Sequence, residues 1–517
     1  MALSPQQDST GSTLPLAPWH RFSWQLLLAG LTLLAFLIQG YHPLAEDGGL
    51  YVAGIEWKLN PSLFPHDAAF VTEHLRFSMF APTIATLTRL THLPLAWTLL
   101  LVDLFALWLT MLAAWQILRR CLASEAAQLA GVALFAAWST LPVAGTALTI
   151  TDPYLTARSL STPLSMLAIA YTLDGTRNIR SLALGTLCLT LAALFHPLMT
   201  VYALGVILPL HLLRLRRVGI ALALLTFTAI GIVSTVQFVA PPESPALILA
   251  EFSRTYWFLA RWQWFELVGL LGPLAVLALL QSRRRHQPSS NLITLCRAAM
   301  VAGLLAILIS LAFAREPYAT HLVARMQPLR IFLLIYALMV LLLGGVLTEI
   351  CLRRSLLAMP PLAILAAACV MFFVQRGTFP ASRHLELPWR VSTNPNQWVQ
   401  AFLWARANTP PDALFAIDPN YITTSGEDAH TFRAIAQRSV LPDDSKDAGE
   451  ASITPALAEA WIKGDKAQQH LSELSDPVRD SRLKPFGVTW IVLHSSAITG
   501  APCPYDNGTV KVCRVLR

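Results

Sequence analysis

The sequence predicts an α-helical polytopic membrane protein with a soluble α/β domain at its C-terminal end. Three observations predict it. The 517 residues are 55% hydrophobic and 13% charged, whereas soluble domains run near about 25% charged. Apolar stretches long enough to cross a hydrocarbon core, which takes roughly 20 helical residues, recur along the first three quarters of the chain. After residue 377 the composition changes, with frequent balanced charges and more Pro, Asp and Ser. These features exclude a single soluble globule. The strict alternation of a membrane barrel is absent.

Charge is unevenly spread. Residues 1–377 hold 24 Lys+Arg against 15 Asp+Glu, and residues 378–517 hold 14 against 15. The basic excess therefore belongs to the apolar part and reads as a topology signal. No basic stripe with interleaved aromatics suggests nucleic acid.

Residues 1–20 read as a polar cytoplasmic tail and 21–377 as the membrane domain. The run Trp24–Gly40 lacks a small-x-small cleavage site and reads as a retained first span, a cleaved signal peptide being the alternative. Further spans are expected near 94–117, 126–147, 160–174, 181–196, 198–213, 218–239, 265–281, 295–313, 328–349 and 356–375, about eleven in all. At Phe195-His196-Pro197 the proline marks either a tight hairpin or a kink. Alternation puts Arg21, Arg119-Arg120, Arg177 with Arg180, Arg214 with Arg216-Arg217, Arg283-Arg284-Arg285 and Arg353-Arg354 on one side, which the positive-inside rule makes the cytoplasm. The opposite loops are then 41–93, 148–159, 240–264, 314–327 and everything after about 376.

Residues 378–517 read as an extracytoplasmic α/β domain. Trp398–Ala407 and Ala456–Leu474 have helical patterns, while Ala413–Ile417 and Val488–Leu493 are strand-like. Asp506-Asn507-Gly508 before Thr509–Val515 predicts a closing hairpin, and this turn is preferred over a glycosylated Asn507. Cys503 and Cys513 flank it in an oxidising compartment, where a disulfide is expected. The other five cysteines lie in or beside spans without metal-ligand spacing and read as packing residues.

No Walker loop, dinucleotide-binding glycine pattern, nucleophile elbow or HExxH is present, which argues against a nucleotide-driven pump, a dinucleotide enzyme, a common serine hydrolase and a zincin. The chemistry is sought in the outward loops. After the first span the chain reads Gly40-Tyr41-His42-Pro43-Leu44-Ala45-Glu46-Asp47-Gly48-Gly49-Leu50-Tyr51. Adjacent carboxylates at the mouth of a membrane cavity suit a base for a hydroxyl acceptor or a metal anchor. The bland reading is an acidic turn capping the following helix.

The run from Tyr41 to Asp67, with Glu-Asp-Gly-Gly-Leu-Tyr and Leu-Asn-Pro-Ser-Leu-Phe-Pro-His-Asp, resembles bacterial members of the GT-C glycosyltransferase superfamily. So does Trp404-Ala405-Arg406-Ala407-Asn408-Thr409-Pro410-Pro411-Asp412-Ala413. The layout of the whole chain is similar to theirs, but sequence-specific likeness is confined to these runs. The resemblance implies an inverting transferase in the bacterial inner membrane, moving a sugar from a polyprenyl-phosphate donor to an envelope glycan, lipid or protein. On this chain Asp47 takes the catalytic carboxylate's place and Glu46 assists. No cofactor is implied with certainty, and a divalent metal is compatible with a Glu-Asp pair.

A phosphate leaving group calls for cations on the same side, best supplied by arginine. Candidates are Arg158, Arg254, Arg261, Arg315, His321, Arg325 and Arg330, against readings as interfacial or internally paired side chains. Tyr51, His42, Tyr256 and Trp257 are candidate sugar or acceptor contacts, although Trp and Tyr also form interfacial belts. His42, His66 and His74 match no zinc spacing. Asp103 lies inside an apolar span, so the alternatives to an enzyme are a transporter or flippase of a lipid-linked or anionic solute using Asp103, and a scaffold without chemistry.

Overall fold

A computed structural model describes residues 18–175, 178–282, 288–393, 395–421 and 432–515. Most of the predicted tail, together with Arg177, Arg283, Arg284 and Arg285, lies outside the described residues.

The chain opens with α1 (Pro18–Gln39), followed by α2 (Asp47–Leu59), α3 (Ala68–Thr72) and α4 (Phe80–Thr91), which fill the first loop. Then come α5 (Leu95–Cys121), α6 (Glu125–Ala137), α7 (Ala157–Thr172), α8 (Ile179–Phe195), α9 (Pro197–Leu212) and α10 (Val218–Val239). After the short α11 (Pro245–Phe252) follow α12 (Trp264–Leu280), α13 (Ser290–Phe313), α14 (Leu322–Arg325), α15 (Phe332–Arg353) and α16 (Met359–Thr378). Among the described residues, five stretches are long and apolar enough to cross a membrane: Leu95–Cys121, Val218–Val239, Ser290–Phe313, Leu322–Arg353 and Met359–Thr378. Five shorter apolar helices accompany them. Helices occupy all eleven predicted positions, yet only these five reach the length and hydropathy of a full crossing.

Local chemistry sets the ends. Pro197 begins α9, where its missing N–H costs nothing, and the His196 ring accepts from Met199 N, so the Phe195-His196-Pro197 step is a helix boundary rather than a kink. The predicted span 126–147 is shorter than expected. Its helix ends at Ala137, and Pro142–Val143 pairs with Leu148–Thr149 as a two-stranded hairpin (β1, β2). Pro142 cannot continue a helical hydrogen-bond ladder, and Gly145 turns the hairpin at φ +60°. A Cβ there would lie 2.4 Å from the Trp262 ring, so only glycine fits. Hydropathy alone does not distinguish an apolar hairpin from the end of an apolar helix.

The core of the bundle is built on α15, which is buried along nearly its whole length between α6, α12 and their neighbours. At one end Arg120 pairs with Asp174 at 2.8 Å, Arg214 donates to Thr172 O and Leu173 O, and Asn291 donates to Arg120 O. The segments around Arg120, Asp174, Arg214 and Asn291 thus meet at one end. The first loop and residues 378–515 gather at the other.

The C-terminal domain contains α17 (Gln397–Asn408), β3 (Leu414–Ile417), α18 (Phe432–Ala436), β4 (Ser439–Val440), α19 (Lys446–Ile453), α20 (Ala458–Gln468), α21 (Asp476–Leu483), β5 (Trp490–His494), β6 (Tyr505–Asp506) and β7 (Val510–Arg514). The sheet order is β4-β3-β5-β7-β6, with β3 parallel to β4 and β5, and β7 antiparallel to both of its neighbours. Alternation along β7 sends Val510 and Val512 to the face covered by α17 and α18, and Cys513 to the other. The expected helix over 456–474 stops at Gln468. Cys503 and Cys513 form the expected disulfide. Asn507 is held in the turn, its side-chain amide donating to Gln397 O.

Candidate functional site

The Glu46-Asp47 pair is positioned by main-chain contacts from two other parts of the chain. Tyr41 N donates to His384 O at 2.9 Å and Glu386 N to Tyr41 O at 2.9 Å, tying the loop to the segment after α16. His42 N donates to Pro153 O at 2.7 Å, tying it to the loop before α7. Glu46 sits at φ +46°, a strained position for a residue with a Cβ, and Asp47 begins α2, where a carboxylate meets the positive end of the helix dipole. Gly48 lets this end close down. A Cβ there would lie 2.6 Å from Pro43 O and 3.1 Å from Tyr154 Cβ.

Asp47 is held from two sides. Arg158, on the first turn of α7, places Nη1 3.2 Å from Asp47 Oδ2 and Nη2 2.9 Å from Asp152 Oδ2. Thr156 and Ser159 cap that helix reciprocally, which fixes the first turn from which Arg158 projects. From the C-terminal domain, Lys446 on α19 places Nζ 3.0 Å from Asp47 Oδ1 and 2.7 Å from Glu46 Oε2. Burial acts to raise the Asp47 carboxyl, but Lys446 and then Arg158, helped by Arg330, outweigh it and hold it well below the usual carboxylate range. Arg330 also stacks over the Tyr256 ring at 5.3 Å. Its Nε is buried without a hydrogen-bond partner, and among the described residues it forms no ion pair. His196 lies within electrostatic range of Arg158, Arg330 and Asp47.

Helix α19 is anchored where it carries Lys446. Arg433 on α18 bonds Asp67 from the first loop and, at 2.9 Å, Asp447 beside Lys446; all three are buried. One turn on, Glu450 faces His74 at 3.6 Å, and burial followed by the nearby Asp447 and Asp47 pushes its carboxyl up to about 8. On the far side α11 packs Ala250 against Ala448 and Ala451.

The structure brings together Asp47, Glu46, Arg158 and Arg330 of the expected residues, with Tyr51 below them against His74 and Phe80 and Tyr256 under Arg330. It places the others elsewhere. Arg261 pairs with Glu316. His321 Nδ1 contacts Glu243 at 2.9 Å and Glu251 at 3.1 Å, and Arg325 bonds the same two carboxylates at 2.7 and 2.6 Å. Arg254 donates to Asp444 O, and Arg315 is exposed. Trp257 is buried among Phe258, Ala314 and Ala324, so it is a packing residue rather than a sugar platform. His42 points away from Asp47, its ring stacked on Phe379 at 3.9 Å. Lys446 was missed by sequence reasoning because no local pattern links it to residue 47.

A divalent metal does not fit this donor set. The Lys446 ammonium already bridges the two carboxylates where such an ion would sit, and Arg158 takes the remaining Asp47 oxygen. Glu243, Glu251 and His321 also converge, but the two carboxylates overcome burial and raise His321 to about 10. Arg325 bonds both carboxylates of this group.

The fold and site therefore define a helical protein with several membrane-length apolar helices and a carboxylate-cation centre where its C-terminal domain meets the first loop. No protein-family model matches the sequence, and no curated protein matches it. Among solved structures it is similar to the archaeal oligosaccharyltransferase AglB from Archaeoglobus fulgidus, in complex with an inhibitory peptide and a dolichol-phosphate, with a TM-score of 0.49 and 12% identity over 92% of this chain and 70% of that chain.

Proposed function

We propose that this chain is a multi-pass inner-membrane glycosyltransferase of the GT-C type, moving a sugar from a polyprenyl-phosphate donor to an envelope acceptor at the outer face. About eleven helices span the membrane, the N-terminus is cytoplasmic, and residues 378–517 lie outside. The carrying observation is Asp47 held between Arg158 of the membrane domain and Lys446 of the C-terminal domain, with Arg330 nearby.

In this reading the donor phosphate binds Arg330 and draws Lys446 away from the carboxylates. A cation shared with phosphate neutralises Asp47 less, so the carboxylate regains proton affinity when the donor is in place. The acceptor hydroxyl then attacks the anomeric carbon, and its proton passes to Asp47. The carbon–phosphate oxygen bond breaks on the opposite face, and the phosphate leaves with the electron pair, stabilised by Arg330, Lys446 and Arg158. Glu46 orients the acceptor. Asp103 supports the site in this reading: it lines a cavity of about 20 Å³ together with Asp152 and Arg158.

The test is transfer from a panel of radiolabelled polyprenyl-phosphate sugars to envelope extracts by purified protein. Incorporation that Asp47→Asn abolishes, with the variant still monodisperse, supports the proposal. Wild-type levels with Asp47→Asn overturn it.

A further inference from the structure

The face of α2 opposite Asp47 borders a second cavity, of about 500 Å³. Val52, Glu56 and Leu59 lie on this stripe, while Asp47, Tyr51 and Gly54 lie on the other, as a period of 3.6 residues requires. Leu95 and Leu99, at the beginning of the long apolar helix α5, form one wall. The segment after α16 and helix α17 of the C-terminal domain form the others. Beside it, Trp97 stacks on Trp389 with ring centroids 5.3 Å apart, and both are exposed. An exposed tryptophan pair at the end of an apolar helix is what a membrane interface favours.

The cavity contains buried polar atoms that the protein leaves unsatisfied. His42 is 0% exposed; its Nδ1 faces Glu386 Oε2 at 3.5 Å, and its Nε2 has no hydrogen-bond partner. Glu56 is 8% exposed; Gln437 donates to its Oε1 at 2.7 Å, and Oε2 has none. Such groups are costly to leave without a partner, so a polar occupant is favoured. Burial pushes the Glu56 carboxyl up to about 8 against the opposing Gln437 bond and Arg406, which makes it neutral and a donor at neutral pH. The remaining charges are Arg383, Arg390 and Arg406 against Glu386, a net positive lining over a mainly apolar wall.

We infer that this cavity binds an anionic glycerophospholipid, its headgroup phosphate on Arg406 and its acyl chains against Leu95 and Leu99. Guanidinium forks match phosphate oxygens, and the unsatisfied His42 and Glu56 groups meet the glycerol and ester oxygens. The site is independent of the transferase proposal, because it lies on the other face of α2.

Native mass spectrometry of the full chain in detergent, with equal amounts of phosphatidylglycerol and phosphatidylcholine of the same acyl composition, tests this. One phosphatidylglycerol should be retained per chain, and Arg406→Glu should weaken retention by about tenfold or more. Leu99→Trp, which fills the acyl wall, should weaken it similarly while the protein remains monodisperse. Asp47→Asn should leave retention unchanged. Equal retention of both lipids by wild type, or a preference that survives Arg406→Glu and Leu99→Trp, overturns the inference. Displacement by millimolar glycerol phosphate also overturns it, since that assigns the cavity to a soluble phosphate.

Discussion

Lys446 Nζ lies 3.0 Å from Asp47 Oδ1, across 399 residues of sequence. Through this contact the C-terminal domain supplies part of the electrostatic environment of a carboxylate in the first loop. A change in either domain is therefore felt at the same oxygen.

Replacing Asp47 by Asn keeps the shape and removes the charge. Under the proposed function, where Asp47 accepts the acceptor's proton, this substitution should lower turnover by about 10²–10⁴-fold. Sugar transfer measured in proteoliposomes, with gel filtration to confirm folding, checks this.

Lys446→Met removes the largest influence that lowers Asp47, so the carboxylate titrates at higher pH. Since a depressed carboxylate stabilises the fold above its ordinary value and loses that contribution as pH falls, this variant should be less stable than wild type near neutral pH and lose less of its stability on acidification. Lys446→Arg should restore much of the behaviour. Thermal unfolding followed from pH 3 to pH 7, together with the acid limb of the pH–rate profile, separates the two variants.

Gly48→Ala tests positioning without touching a charged group. The added methyl meets the Pro43 carbonyl, which must move, and such overpacking costs roughly 1–3 kcal/mol. Turnover should fall more than substrate affinity, because the displaced residue next to it is Asp47. Steady-state kinetics resolve kcat from KM.

Arg433 holds Asp67 and Asp447 together at the seam between the first loop and α19. Arg433→Met leaves two buried carboxylates unpaired and should destabilise the protein by about 3–5 kcal/mol. A lower melting temperature, with activity lost in parallel as Lys446 loses its support, is the expected outcome.

His321 braces the loop before α11 through Glu243 and Glu251, and its folded value is raised from 6.5 to about 10. A raised value means that its stabilisation is complete below about pH 6.5 and is lost as pH rises through about 10. Melting temperature should decline along this alkaline limb, and His321→Gln should flatten it.

The helices were legible in the sequence because burial in lipid and in a helical bundle demands the same local signature, a run of apolar residues bounded by proline, capping residues or arginine. The error at 126–147 arose where that signature is ambiguous, since Leu141 to Leu148 is apolar as a hairpin too. The Glu46-Asp47 pair was legible because two carboxylates beside a span are costly to leave unexplained. Among the cations, sequence reasoning offered seven and favoured the loop from Arg315 to Arg330, of which only Arg330 faces Asp47. Arg261, His321 and Arg325 have carboxylate partners of their own, and these lie as far as 82 residues away in the chain.

By itself the sequence determined the long apolar helices and their order, the change in composition after residue 377 and the Cys503–Cys513 closure. Each of these follows from interactions between near neighbours or from composition, which local order records. The tertiary structure decided which cations face Asp47, that Lys446 is one of them, and that α2 separates the charged site from a lined cavity behind it. Those facts depend on distances between segments hundreds of residues apart, and Coulomb energy falls with distance in space, of which position along the chain carries no record.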